Sequence, residues 1–183
     1  MTKIYTRLGD DGSTGLLFGG RISKASPIVA AYGTVDEAVA ALGVARAGCA
    51  DPALAGLILR LQRELFVVAA DLAANPRARE ELKPGVSLVT PEMVAELEAT
   101  IDRLVAERPL RPVFVVPGAN PCSAALDLAR TIVRRAERLA VEAGAGGHPV
   151  SPRAVVYLNR VSDLVYVLAR HAAGEGEEPA SHQ

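Results

Sequence analysis

The clearest pattern in the chain is a run of apolar residues with helical spacing between Asp51 and Asn75. Its large apolar side chains recur at steps of three and four residues, so they share one face of a helix. They are Leu54, Leu57, Ile58, Leu61, Leu65, Val68 and Leu72. Asp51 before Pro52 is typical of a helix start, and Asn75 before Pro76 is typical of a helix end. This stretch is therefore predicted to be a helix.

The same reasoning predicts four further helices, near 27–47, 90–107, 121–144 and 152–173. Each begins with a proline at or near its first turn, where the backbone N–H has no intrahelical partner anyway. Glycines close the last two of these helices. The connections are mostly short, which forces neighbouring helices to be antiparallel. The predicted fold class is therefore all-α, an up-and-down five-helix bundle with an irregular Gly-rich N-terminal segment.

The rest of the chain is predicted to be connections and ends. Val113–Val116 is β-like but short and solitary, so we interpret it as an extended connector that ends at Pro117 and Gly118. No internal repeat or linker divides the sequence, which favours a single domain over 1–183. Its predicted parts are an N-terminal segment (1–24), the helical bundle (25–173) and a flexible polar tail (174–183).

Composition narrows the class of protein. The chain has no tryptophan, only 4% aromatic residues and many alanines, which excludes an all-β fold. Hydrophobic residues make up 50% of its 183 positions and charged residues 22%, as in a globular domain. No apolar run approaches the ~20 residues of a membrane span, and no leader is visible. With Cys49 and Cys122 interpreted as reduced residues, we expect a cytoplasmic protein.

Charge is unevenly distributed although the formal net charge is −1. Residues 1–24 and 121–173 are both net basic, whereas residues 90–107 are acidic. The overall balance does not indicate nucleic-acid binding. A site for a smaller polyanion is expected to use the first and last thirds of the chain.

The N-terminal segment has a composition that a helical bundle does not need. Residues 6–15 are dense in glycine, hydroxyl and carboxylate side chains, and Arg21 and Lys24 follow. Glycines let consecutive backbone N–H groups approach an anion, and a lysine neutralises its charge, which is the chemistry of a phosphate site. The spacing is not that of a Walker loop. A flexible N-terminal arm is the alternative, and composition alone favours it.

Two helices carry polar stripes. Arg130, Arg134 and Glu137 share one face of the helix predicted at 121–144. Such a stripe could bind an anion or be an ordinary solvated face paired with nearby acids, and the pattern alone favours the solvated face. The last predicted helix places Asn159, Asp163, Tyr166 and Arg170 on one stripe. Its mid-helix asparagine is not explained by helix propensity.

Patterns for zinc binding and for covalent catalysis are missing. The three histidines have neither helical spacing nor a nearby cysteine, and no nucleophile elbow occurs. Five acids could hold Mg²⁺ together with nucleotide phosphates, namely Asp10, Asp11, Asp36, Glu37 and Asp163. Their spacing does not select among them, so the Mg²⁺ ligands stay unassigned.

Three blocks, taken together, resemble the ATP:cob(I)alamin adenosyltransferases of the propanediol-utilisation type. They occur in family order and spacing over most of the chain. Leu8 and Gly118-Ala119-Asn120 depart from the family pattern. The blocks are Tyr5-Thr6-Arg7-x-Gly9-Asp10-Asp11-Gly12-Ser13-Thr14-Gly15 with Lys24; Tyr32-Gly33-Thr34-Val35-Asp36-Glu37; and Ala129-Arg130-x3-Arg134-Arg135-Ala136-Glu137-Arg138 with Leu158-Asn159-Arg160-x-Ser162-Asp163-Leu164.

The resemblance implies a homotrimer with active sites between subunits, in which the N-terminal segment binds ATP with Mg²⁺. Asp36 would pair with Arg130 across the interface. Phe114 would crowd the lower face of the corrin, although a phenylalanine in such a run is by itself more often a core residue. The implied nucleotide-binding residues are Thr6, Arg7, Gly9, Asp10, Gly12, Ser13, Thr14, Lys24, Arg130, Arg134, Glu137 and Asn159; the implied catalytic residues are Arg130, Arg134, Glu137, Asp36 and Phe114.

The implied reaction is attack of Co(I) of cobalamin on the ribose C5′ of ATP, which expels triphosphate. A reductase and an adenosylcobalamin-dependent client enzyme are possible partners. One alternative is a non-catalytic module that binds a nucleotide or corrinoid and delivers it to a client. Another, a ferritin-type bundle, would need Glu-x-x-His pairs, and the sequence has none.

Overall fold

The computed structural model describes residues 4–181 and contains five α-helices over that part of the chain. The predicted all-α fold class is confirmed, and each predicted helix has its counterpart within two residues of the expected ends. The helices are α1 (Pro27–Ala47), α2 (Pro52–Ala73), α3 (Pro91–Glu107), α4 (Pro121–Ala145) and α5 (Pro152–Ala173).

Local chemistry explains where the helices begin. All five start with a proline, and the residue before it is extended. The Asp51 carboxylate accepts hydrogen bonds from the backbone N–H groups of Ala53 at 2.7 Å and Leu54 at 3.3 Å. Asn120 and Ser123 cap α4 reciprocally, each side chain bonding the other's backbone N–H. These caps satisfy N–H groups that the first turn leaves without partners.

The core lies between α1, α2, α4 and α5. Helix α1 packs against α2 and α4, and α4 packs against α5. Helix α3 packs on the outside of α5, which leaves a groove between α3, α4 and α5. Among the largest side chains that are fully buried in this core are Leu42, Ile58, Leu61, Leu65, Leu126, Tyr157, Leu158 and Leu168.

One expectation about hydropathy is wrong. By length and composition alone, α1 is apolar enough to span a membrane, whereas no such run was expected. The reason lies in packing, because α1 contacts both α2 and α4 and has Ala31, Val35, Ala38 and Leu42 fully buried. A helix with neighbours on two sides needs apolar residues over more of its circumference than a surface helix.

The N-terminal segment is anchored to the bundle. Strand β1 (Ser13–Gly15) pairs antiparallel with β2 (Arg21–Ser23) to form a short hairpin. In the loop between them, the Leu17 N–H donates to the Ala73 carbonyl at 2.9 Å, and the Asn75 N–H donates to the Leu17 carbonyl at 2.9 Å. These bonds attach the hairpin to the end of α2. They favour an ordered N-terminal segment over a free N-terminal arm.

The described part of the predicted flexible tail is mostly exposed, but backbone pairing and an ion pair hold it on the bundle, so it differs from the expected free end. After a 3₁₀ turn at Gly174–Gly176, strand β4 (Glu178–Pro179) pairs with β3 (Val115–Val116), so the connector is not solitary either. The Glu177 carboxylate lies 3.5 Å from the buried guanidinium of Arg170, which attracts this end of the chain. The last residues of the predicted tail, 182–183, lie outside the described residues.

Candidate active site

A cavity of about 710 Å³ lies in the groove between α3, α4 and α5, which we call the arginine groove. Helix α4 contributes Arg130 and Arg134 to its wall, and α5 contributes Asp163 and Tyr166. The spacing of the two arginines places both guanidinium groups on the same face of α4. The groove is therefore lined by cations on a wall that also carries apolar side chains.

Carboxylates do not neutralise the two arginines within the described residues. Neither Arg130 nor Arg134 has an ion pair there, whereas Arg160 in the same groove lies 2.8 Å from Glu98 and 3.3 Å from Asp163. The Nε of Arg130 is buried and has no hydrogen-bond partner among residues 4–181. A buried donor without a partner is costly, so this group is suited to an anion supplied from outside the chain.

A tyrosine orients Arg130 without neutralising it. The Arg130 guanidinium carbon lies 5.8 Å from the centre of the Tyr166 ring, and that of Arg170 lies 5.2 Å from it. Arg170 is itself buried and paired with Asp127. Because a ring face attracts a guanidinium without using its N–H donors, Tyr166 leaves the donors of Arg130 available to an anion.

We expect removal of the Tyr166 ring to weaken the use of ATP that the resemblance implies, whereas removal of its hydroxyl should not. A cation–π contact of ~0.5–2 kcal/mol corresponds to a loss of about two- to thirtyfold in kcat/KM for Tyr166→Leu. Tyr166→Phe keeps the ring and should behave as the unchanged protein in steady-state kinetics with ATP varied. Equal losses in both variants would contradict this role of the ring.

Glu137 of α4 and Asn159 of α5 meet beside the groove, although the sequence pattern placed them on stripes of two different helices. The Asn159 amide donates to the Glu137 carboxylate at 3.1 Å, which joins α4 to α5 about one helical turn beyond Arg134. Both side chains are half-buried. The mid-helix asparagine therefore has a polar partner, and together with the arginines the pair forms one continuous polar stripe.

The N-terminal segment forms a compact loop held by its own polar groups. The Asp11 carboxylate accepts from the Ser13 N–H at 2.9 Å and from its hydroxyl at 2.8 Å, and Arg21 donates to the same hydroxyl at 2.9 Å. These hydrogen bonds, with the nearby Arg21 cation, lower the pKa of Asp11 below its usual value. The carboxylate is thus ionised and already engaged in shaping the loop.

Lys24 closes this loop from the other strand. Its ammonium donates to the Gly9 carbonyl at 2.7 Å. A Cβ at Gly9 would lie 3.0 Å from the Lys24 nitrogen and 3.1 Å from the Ser13 carbonyl, so a larger residue would push the lysine aside. Gly12 has a φ of +81°, which glycine adopts without strain. Of the predicted site residues in this segment, the contacts bring Gly9, Gly12, Ser13 and Lys24 together. Thr6, Arg7 and Asp10 are exposed on the same loop, and Thr14 hydrogen-bonds Tyr32.

Asp36 and Arg130 lie apart in the protomer. Asp36 is exposed and lines a second, mainly apolar cavity of about 430 Å³ with Tyr32 and Phe66 between α1 and α2. No described contact joins it to Arg130, which lines the arginine groove. The hairpin lies on the same α1–α2 side, since Thr14 hydrogen-bonds Tyr32, whose pKa is raised mainly by burial. The chain thus carries predicted site residues on two separate surfaces, the arginine groove and the α1–α2 side.

Phe114 is not a core residue, which overturns the interpretation that its apolar neighbours favour. Its side chain is 90% exposed on the connector, and its carbonyl accepts a hydrogen bond from the Ala180 N–H at 2.8 Å. The backbone is thus held by the C-terminal strand while the ring points to solvent. An exposed phenylalanine on a fixed backbone is available to contact a large apolar ligand.

Sequence reasoning missed some groups on these surfaces. Glu98 and Asp102 of α3 line the arginine groove, and Arg135 pairs with Glu37 across α1 and α4. The acidic stretch at 90–107 was visible, but only the packing of α3 on α5 places it beside basic residues. Within the described residues, no group of three or more His, Cys, Asp or Glu side chains could hold a metal ion.

Comparisons with known proteins agree with these features. The family model described as cobalamin adenosyltransferase matches residues 4–172. A corrinoid adenosyltransferase of Mycobacterium tuberculosis is 41% identical over 180 residues, which is 97% of this chain and 92% of that protein. The corrinoid adenosyltransferase PduO of Salmonella typhimurium is 40% identical over 183 residues, 98% of this chain but 51% of that longer protein.

Solved structures extend the similarity to the whole fold. A variant PduO-type ATP:corrinoid adenosyltransferase from Lactobacillus reuteri, complexed with cobalamin and ATP, matches with a TM-score of 0.87 and 29% identity over 99% of both chains. A second variant of that enzyme, complexed with ATP, matches with a TM-score of 0.83 and 29% identity, over 98% of this chain and 100% of that one. The chain therefore belongs to the cobalamin adenosyltransferase family.

Proposed function

We propose that this chain transfers the 5′-deoxyadenosyl group of ATP to Co(I) of cobalamin at a site shared by two subunits of a homotrimer. Membership of the family supports the reaction. The observation that carries the site is the pair of arginines, Arg130 and Arg134, which face the groove without carboxylate partners among the described residues. Such cations are suited to a triphosphate leaving group.

The reaction requires the protein to stabilise developing charge and to position ATP and cobalamin. Cobalt(I) supplies an electron pair to C5′, the C5′–O bond breaks, and triphosphate leaves with that bond's electrons. Negative charge therefore grows on the leaving oxygen, and fixed guanidinium groups nearby lower the barrier. Because the cobalt is the nucleophile, the protein needs none, which agrees with the absence of a nucleophile elbow in the sequence.

We propose that the N-terminal loop and the arginine groove are the two halves of one site. In our proposal the N-terminal loop of one subunit holds the phosphates with Lys24 and its backbone N–H groups. The arginine groove of a neighbouring subunit, with Glu137 and Asn159, completes the nucleotide site. Their separation within one protomer supports this division, since no described residue of the N-terminal loop lines the arginine groove.

Magnesium fits the N-terminal loop only as an ion held mainly by ATP. Asp10 and Asp11 supply carboxylate oxygens there, and Asp11 already accepts two hydrogen bonds from Ser13. We propose that phosphate oxygens provide most of the ligands. When bound, Mg²⁺ would neutralise part of the triphosphate charge.

Phe114 is proposed to cover the lower face of the corrin. Its exposed ring offers an apolar surface that would exclude an axial ligand from the cobalt. Removal of that ligand favours the four-coordinate state and so makes Co(II) easier to reduce. We also propose a cytoplasmic location, a reductase that supplies the electron, and a client enzyme that uses the adenosylcobalamin.

Anaerobic incubation with ATP, Mg²⁺ and chemically reduced cobalamin tests the reaction. The expected result is the visible spectrum of adenosylcobalamin, with one triphosphate released for each cobalamin consumed. A protein that binds both substrates without this spectral change would instead be a carrier module. A control reaction without protein should give no product. A control with an ATP analogue that lacks the scissile C5′–O bond should also give none.

Assembly and activity are expected to depend on Asp36 and Arg130 as a coupled pair. Asp36→Asn should weaken both the trimer and the activity, and adding Arg130→Ala should cost less than the sum of the single changes. Sedimentation and initial rates measure the two effects. Glu37→Gln is the matched control, since Glu37 pairs with Arg135 inside the protomer. Strict additivity, or a fully active monomer, would contradict pairing across the interface.

A further inference from the structure

The two cysteines, 73 positions apart in the chain, meet at one end of the bundle. Cys49 lies in the turn between α1 and α2, and Cys122 lies in the first turn of α4. Both line a cavity of about 310 Å³, away from the arginine groove. A Cβ at Gly48 would lie 3.9 Å from the Cys122 nitrogen, so the two backbone segments are in contact.

The two thiols line the same cavity and differ in their surroundings. The Cys49 thiol donates to the Asp51 carbonyl at 3.4 Å. Cys49 is half-buried, whereas Cys122 is buried. Burial, together with the neighbouring Cys49, raises the pKa of the Cys122 thiol to about 12. Cys49 is thus the thiol that a small reagent entering the cavity meets first.

We propose that Cys49 and Cys122 form an oxidisable dithiol site that takes low-molecular-weight disulfides of the glutathione class. The Cys49 thiolate attacks one sulfur of the reagent and releases one thiolate, which leaves a mixed disulfide. Cys122 then loses its proton to solvent and attacks the Cys49 sulfur, which releases the second thiol. Two protein thiols are oxidised and one small disulfide is reduced to two thiols.

The disulfide would tie the α1–α2 turn to the start of α4. Asn120, which caps α4, lines the same cavity, and its amide also donates to the Ala172 carbonyl at 2.6 Å. The connector that carries Phe114 leads directly into this cap. Because the bond closes a long stretch of chain, oxidation should raise the melting temperature by several degrees.

Mass spectrometry after treatment with oxidised glutathione tests the site. The wild-type protein should lose the mass of two hydrogens, and neither of its thiols should remain alkylatable. Cys122→Ser should stop at the mixed disulfide and gain one glutathionyl group at Cys49. Cys49→Ser should gain none at the buried Cys122. Circular dichroism identifies a folded variant, and alanine replaces serine where one fails to fold.

Three results would overturn the proposal. In the first, the wild-type protein keeps both thiols after the treatment. In the second, the wild-type protein stops at the mixed disulfide. The third is a disulfide between two chains, seen as a dimer on a non-reducing gel. None of these readouts depends on adenosyl transfer, so the dithiol site is tested independently of the proposed function.

Discussion

Arg134→Ala is expected to lower kcat/KM for ATP by about tenfold to more than a hundredfold, because a hydrogen bond to a charged group contributes ~1.5–3 kcal/mol. Arg134 lies on the exposed wall of the groove, so the bundle should stay folded. Arg134→Lys keeps the charge but loses the planar fork, and it should restore only part of the rate. Steady-state kinetics with ATP varied, together with thermal melting, measure both effects.

Arg138→Ala is the matched control for this experiment. Arg138 is one turn further along α4, exposed, and donates to the Arg134 carbonyl at 3.1 Å. It is not among the residues that line the arginine groove. Its loss should leave kcat/KM nearly unchanged. Wild-type kinetics for Arg134→Ala, or equal losses in both variants, would remove Arg134 from the triphosphate site.

Phe114→Ala is expected to slow the reaction by about tenfold or more when it starts from Co(II), which is ~1.4 kcal/mol in the barrier. Without the ring, an axial ligand can return to the cobalt and make its reduction harder. Starting from pre-reduced Co(I) should restore much of the rate. The melting temperature and ATP binding should stay near those of the unchanged protein, because the side chain is 90% exposed.

Val116→Ala separates this role from a general effect on the connector. Val116 is partly exposed, at 48%, and its strand pairs with Glu178 in the same ladder that holds the Phe114 backbone. Truncation of Val116 should leave the rates from Co(I) and from Co(II) close to those of the wild-type protein. If Phe114→Ala loses several degrees of melting temperature and is equally slow from Co(I) and Co(II), the ring does not act on the corrin.

Periodicity predicted the helices because each one carries its own signals. The start of α2 is visible in Asp51 and Pro52, whose capping bonds are local. The pairing of Val115–Val116 with Glu178–Pro179 carries no such signal, since it joins two-residue strands from distant parts of the chain. The contact between Arg170 and Glu177 spans only seven residues, but its buried setting also depends on Asp127 of α4, which pairs with Arg170.

The candidate site was only partly predictable from the residues. Helical spacing placed Arg130 and Arg134 together, but the same spacing occurs on solvated faces. The groove and the buried Nε of Arg130 depend on how α3 packs, which the local pattern does not contain. The exposure of Phe114 likewise contradicts what its apolar neighbours favour.

Complementation between two impaired variants tests the proposed shared site most directly. Lys24→Ala disables the N-terminal loop, and Arg134→Ala disables the arginine groove. Co-expressed in equal amounts with different tags, they should form mixed trimers in which one of the three sites combines two intact halves. Adenosylcobalamin formation by tandem-purified mixed trimers should therefore approach about one third of the wild-type rate. A rate no higher than that of the two variants measured separately would show that each site is built within one subunit.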